Sequence, residues 1–206
     1  MITRKIMPGF SISWVLVGLM AFCGCSSTTL TNSWAPPDAE PITFRKMFVV
    51  CISKDATTRR IAEDAMVRQI QNAEAVASYT MIPDAELSNV DKVSSRIAAD
   101  GFDGTITMRL LAVDKELTWI PENSPDYYHS GFRRHYRQSL PEAYDQGHMQ
   151  VNDIVRIETN IYSVQDENLV WTGTSETFNP NSVESMVNEI SAAVAKDLRK
   201  RGLLPE

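Results

Sequence analysis

Histidine and cysteine are scarce here, three of each in 206 residues. His129, His135 and His148 show neither an H-E-x-x-H pattern nor any paired ligand spacing, so the familiar helical zinc sites are excluded. No serine sits in a G-x-S-x-G elbow, and "HSG" at 129–131 is too short to stand for one. The nine glycines form no cluster opening a helix, which removes a phosphate-cradling loop. No apolar run reaches the roughly 20 residues that span a bilayer. The sequence therefore offers no catalytic residue, no metal ligand set and no cofactor site, and it is read as not an enzyme.

What is present begins at the N-terminus. Arg4 and Lys5 precede a mostly apolar stretch from Phe10 to Phe22, which has the length of a secretory core. Gly24 then stands directly before Cys25, with Phe22 three positions upstream of that cysteine. This end resembles the lipobox of bacterial lipoproteins. The resemblance implies a signal peptide over 1–24 and acyl chains on Cys25, which attach the protein to the membrane. Phe22 departs from the usual Leu, and Cys23 is a rival acceptor, but bulky Phe22 before it disfavours cleavage there. A plain signal peptide and an uncleaved anchor helix are the alternatives. Ser26 rather than Asp after the cysteine implies the outer membrane, facing the periplasm.

Removing residues 1–24 takes two of the 20 basic residues and none of the 26 acidic ones, leaving 182 residues with net charge −8. So acidic a chain excludes general binding to nucleic acid. Cys51 is the one cysteine left without an assignment, so no internal disulfide is expected. Set in "MFVVCI", it reads as a small buried hydrophobe. Residues 25–41 read as the lipidated cysteine and a flexible tether of Ser, Thr, Asn and Pro, roughly 20–25 Å in span. Trp34 within it is expected to pack on the domain.

Residues 42–206 read as a single α/β (α+β) domain. A Val-rich strand at 44–52 leads to a helix over 58–72 with Ile61, Ala65 and Ile70 on its apolar face and Thr57 or Thr58 as cap. A strand at 75–82 and a helix over 89–100 closed by Gly101 follow. Alternation from Asp103 predicts a half-buried strand running on, with a bulge, to Trp119. Strands at 151–164 and 169–178 around "QDEN" predict a hairpin. A last helix carries a stripe from Val183 to Leu198, with Asn181 and Glu184 as capping box and Gly202 as stop. The expected order is β-α-β-α-β-β-β-α, a mixed sheet of about five strands with helices mainly on one face.

The long irregular stretch, 120–149, gathers the histidines, four tyrosines and the basic knot "RRHYR". Loops of this length are functional or disordered. Tyr and Arg suit partner surfaces, so Tyr127, Tyr128, Arg133, Arg134, Tyr136 and Arg137 are the candidate contact residues, toward an envelope protein or a cell-wall component. The alternatives are a solvated loop and a periplasmic hydrolase or cell-wall-modifying enzyme using this loop. Ser33-Trp34, "KMFVV", "RIAED" (60–64), "SYTMIP" and "NLVWTGTSET" together resemble a group of exported bacterial lipoproteins of unknown function. That resemblance implies an α/β periplasmic domain with no transferable catalytic residues, a membrane-anchored binding or assembly protein.

Overall fold

The structure, a computed structural model, describes residues 27–120, 131–133, 136–137 and 147–205. Cys25, Tyr127, Tyr128 and Arg134 lie outside the described residues.

Six strands form one mixed sheet in the order β1-β6-β5-β4-β2-β3: β1 (Thr28–Trp34), β2 (Lys46–Ile52), β3 (Glu74–Ala77), β4 (Gly104–Ile120), β5 (His148–Ser163) and β6 (Leu169–Phe178). β2 runs parallel to β3 and β4, and the other neighbours are antiparallel. Helices α1 (Ala56–Gln69), α2 (Val90–Ala99) and α3 (Val183–Lys200) pack on this sheet. The α/β class and the helices mainly on one face are as expected. α1 and α3 cover one face, over Met47, Val49, Ile106, Ile161 and Trp171. α2 covers the other through Val93 and Ile97, against Phe48, Ile82 and Phe102. β2 is therefore apolar on both sides, as a strand buried between two layers must be.

The sixth strand corrects the tether. Thr28–Trp34 pairs with β6, with a bulge between Leu30 and Asn32. Its polar composition suits an edge position, where only one face needs burial and β-branched Thr favours extended backbone. Thr28 and Thr177 share a 2.7 Å hydroxyl hydrogen bond, and Leu30 packs on the core. Trp34 ends the strand half-exposed rather than packed inside.

Local signals explain the other shifts in boundary. α1 is capped by Asp55, whose carboxylate accepts the Thr58 N–H at 2.6 Å, rather than by a threonine. β3 stops at Ala77 because Ser78 and Tyr79 leave the ladder to bond Glu63. α3 starts from a Ser182/Ser185 capping box, one residue beyond the expected pair, and Gly202 (φ +75°) ends it. β4 carries its bulge between Leu110 and Ala112. Glycine is obligatory at 173, where a Cβ would lie 2.3 Å from the Trp171 ring. Trp171 is fully buried and its indole N–H donates to Asp197 at 2.9 Å.

Candidate functional site

Two constellations stand out, and each inverts what its sequence suggests. The first is buried charge. Arg59 and Glu63, one helical turn apart on α1, are 2% and 0% exposed, whereas Ile61, expected on the apolar face, is well exposed. Glu63 Oε1 accepts from Arg59 Nε (3.1 Å), Ser78 Oγ (2.6 Å) and the Cys51 N–H (3.0 Å), and Oε2 accepts the Tyr79 N–H (3.0 Å). Arg59 also donates to Asp84 at 2.5 Å. The group thus ties β2, α1 and the turn after β3 into one unit. Buried charges persist when paired and hydrogen-bonded in this way. The Glu63 carboxylate spends its accepting capacity on these donors, so the cluster is a clasp rather than a reactive centre. Burial, and then the charge of Glu63, push the Cys51 thiol up to about 11, the reverse of what a nucleophile needs.

The second constellation is an arm. β4 is paired to β2 only as far as Arg109, and β5 is paired to β6 only from Ile154. Beyond those limits the six pairs from Lys115↔Asp153 to Ile120↔His148 stand as a two-stranded ribbon, about 20 Å long. Partners across an antiparallel ladder share a face. One face therefore carries Val113 with Val155, Leu117 with Val151 and Trp119 with Met149, interrupted by Lys115 with Asp153. Leu117 is 63% and Trp119 54% exposed, and Val113, Met149 and Val151 are about as open. Scattered exposed apolar residues are ordinary, but a contiguous patch such as the one Leu117, Val151, Trp119 and Met149 form beyond Lys115 and Asp153 is the kind that interaction surfaces use.

The base of the arm is fixed. Asn179, in the left-handed region at φ +45°, donates its N–H to Asp153 O and accepts the Asp153 N–H through Oδ1, both at 2.8 Å. Its amide also donates to the buried Asn152 at 2.9 Å, and Asn152 reaches Thr118 at 3.0 Å. Arg156 joins Glu176 and Asp114 on the polar face. Register places the start of β1 beside this base, since Thr28 faces Thr177, Thr177 faces Val155, and Val155 faces Val113. β1 runs antiparallel to β6, so the chain enters the sheet from the end at which the arm projects.

The proposed contact residues belong to the segment joining the two strands of the arm. Arg133, Tyr136 and Arg137 are exposed, and Phe132 stacks on Tyr136 with ring centroids 5.8 Å apart. The irregular stretch is shorter than expected because β4 continues to Ile120 and β5 begins at His148, which faces Ile120. His129 and His135 lie outside the described residues. Among the described residues, no group of three His, Cys, Asp or Glu side chains is placed to hold a metal ion, and no helix is long and apolar enough to cross a membrane. The arm's stripe escaped sequence reading because alternation reports a two-faced strand, not whether a neighbour covers the apolar face.

No family model matches the chain, and no curated protein sequence matches it. Among solved structures it is similar to a PelC dodecamer from Paraburkholderia phytofirmans, with 11% identity over 82% of this chain and 96% of that one, at a TM-score of 0.44. It is also similar to lipoprotein GNA1162 from Neisseria meningitidis, with 11% identity over 76% and 99% and a TM-score of 0.41. A PDZ domain protein from Parabacteroides distasonis gives 8% identity over 84% and 36%, with a TM-score of 0.34. Likenesses at these values carry no functional argument.

Proposed function

We propose that this protein is a lipid-anchored, non-enzymatic binding or assembly protein of the bacterial cell envelope, held at the outer membrane through acyl chains on Cys25. Its partner, an envelope protein or cell-wall component, is met by the β4–β5 arm and by the exposed Arg133, Tyr136 and Arg137 of the joining segment, together with Tyr127, Tyr128 and Arg134. The observation that carries this reading is the exposed patch of Leu117, Val151, Trp119 and Met149 on a ribbon whose residues take no part in the two core clusters. The signal-like N-terminus supports the anchor, because two or more acyl chains hold a protein stably where one does not.

Two measurements test the two halves separately. Mass spectrometry of the native N-terminus should find a lipid-bearing Cys25, and Cys25→Ser should release the protein from the membrane fraction. A photo-cross-linker at Trp119 in intact cells should give one discrete adduct that Leu117→Ser with Met149→Ser removes. An adduct insensitive to those changes would rule out the arm as the contact.

A further inference from the structure

On the face covered by α1 and α3 the packing leaves a cleft of about 690 Å³. Its lining includes Ile106 of β4, Thr159 and Ile161 of β5, Met66 of α1 and Leu198 of α3. That volume lies within the range of small-molecule sites, which are mainly apolar with a few polar groups that orient the ligand. Here one such group stands out. Thr159 is 2% exposed, and its Oγ1 has no hydrogen-bond partner among the described residues.

An unsatisfied buried hydroxyl destabilises the fold, and valine has the same shape without that cost. Ser191, another hydroxyl of the lining, donates to Val187 O at 2.7 Å and makes no hydrogen bond with Thr159. A lone water is a poor answer too, because a buried water needs two to four polar partners. The charged residues of the lining, Arg45 and Arg199, are both exposed, Arg45 beside Asp103 and Arg199 on the Pro205 carbonyl, so an ionised group at the depth of Thr159 would go uncompensated.

We infer that the cleft is a binding site for a neutral apolar molecule carrying one hydroxyl or carbonyl oxygen, which Thr159 Oγ1 hydrogen-bonds. The walls suit a hydrocarbon chain, and Met66 adapts to irregular shapes through its flexible thioether. This site is separate from the arm and does not depend on the lipid at Cys25.

The test uses the mature chain with Cys25→Ser, which keeps every described residue, and 1-octanol and octanoate as probes. Titration followed by methyl NMR of Met47 and Met66 should show saturable 1-octanol binding, with octanoate at least tenfold weaker. Thr159→Val should weaken 1-octanol at least fivefold, Thr159→Ser should restore it, and Ala195→Phe, which fills the cleft from α3, should abolish it. Circular dichroism checks that each variant is folded. Equal 1-octanol affinity in Thr159→Val and the parent, or shifts that never saturate, would overturn the proposal. Tighter binding of octanoate than of 1-octanol would overturn it as well.

Discussion

The clasp and the arm are opposites. Around Glu63 the molecule hides an arginine and a carboxylate that water would solvate; along β4 and β5 it shows water a leucine, a tryptophan and a methionine that a core would take. The clasp lies between a strand, a helix and a turn, so its hydrogen bonds decide how those elements meet. The side chains of the arm's stripe are exposed, so they bear little on whether the chain folds. On the proposed reading, stability and contact lie in different parts of the molecule, and each part can be altered without the other.

The largest effect is expected from Glu63→Ala. It leaves Arg59 buried beside Asp84 alone and strips the Cys51 and Tyr79 amides of their acceptor, a loss of about 3–5 kcal/mol. Urea unfolding followed by circular dichroism measures it, and pairing Arg59→Met with Glu63→Leu should recover only the part due to the uncompensated Arg59 charge, since the Cys51 and Tyr79 amides stay without their acceptor. A loss within about 0.5 kcal/mol would mean that the clasp is ornamental.

Next comes alkaline pH. The folded chain holds the Cys51 proton more tightly than the unfolded chain, up to about 11 against an ordinary 9. Its contribution to stability is therefore full below pH 9 and is lost as pH climbs from 9 to 11. Urea midpoints compared with Cys51→Ala across that window should show the extra decline in the parent only. At pH 8 the native thiol should resist iodoacetamide and react once the protein is unfolded.

Cap removal at the start of α3 is smaller. Ser182→Ala should cost about 1 kcal/mol by thermal melting, since it frees the Ser185 amide. Smallest of all for the fold is the arm. Leu117→Ser with Met149→Ser should move the unfolding free energy by less than about 0.5 kcal/mol, while removing the adduct from the cross-linker at position 119. Joint replacement of Arg133, Arg134 and Arg137 by Ala should likewise spare the fold and reduce capture of the partner. A marked loss of stability from the arm substitutions would show that the stripe is part of the core.

Periodicity made much of this fold legible. The Val-rich β2, the bulged β4, the hairpin of β5 and β6 and the long stripe of α3 are each written locally, in spacing that a short window reveals. β1 is not. Thr28 finds Thr177 across 149 positions of chain, and nothing in "TTLTNSW" says that a partner edge waits so far away. The clasp was hidden for another reason. Arg59 and Glu63 look like the wet side of an amphipathic helix, and only the placement of Ser78, Asp84 and Cys51 around them turns that side inward. For the proposed contact site, composition drew attention to the segment between Ile120 and His148. The ribbon that presents it, and the apolar stripe along that ribbon, depend on where β2 and β6 stop.

The place where β1 joins the sheet has a mechanical consequence. Ser27 accepts the Phe178 amide and donates to Glu189, and Thr28 is bonded immediately after, so the chain is gripped from the first described residues. A pull from the N-terminal side along the strand axis would load the β1–β6 ladder in shear, all its pairs at once, instead of peeling them in turn. The edge strand would then act as a buckle: tension on the leading segment would reach the long α3 and the central strands before any slack was taken up.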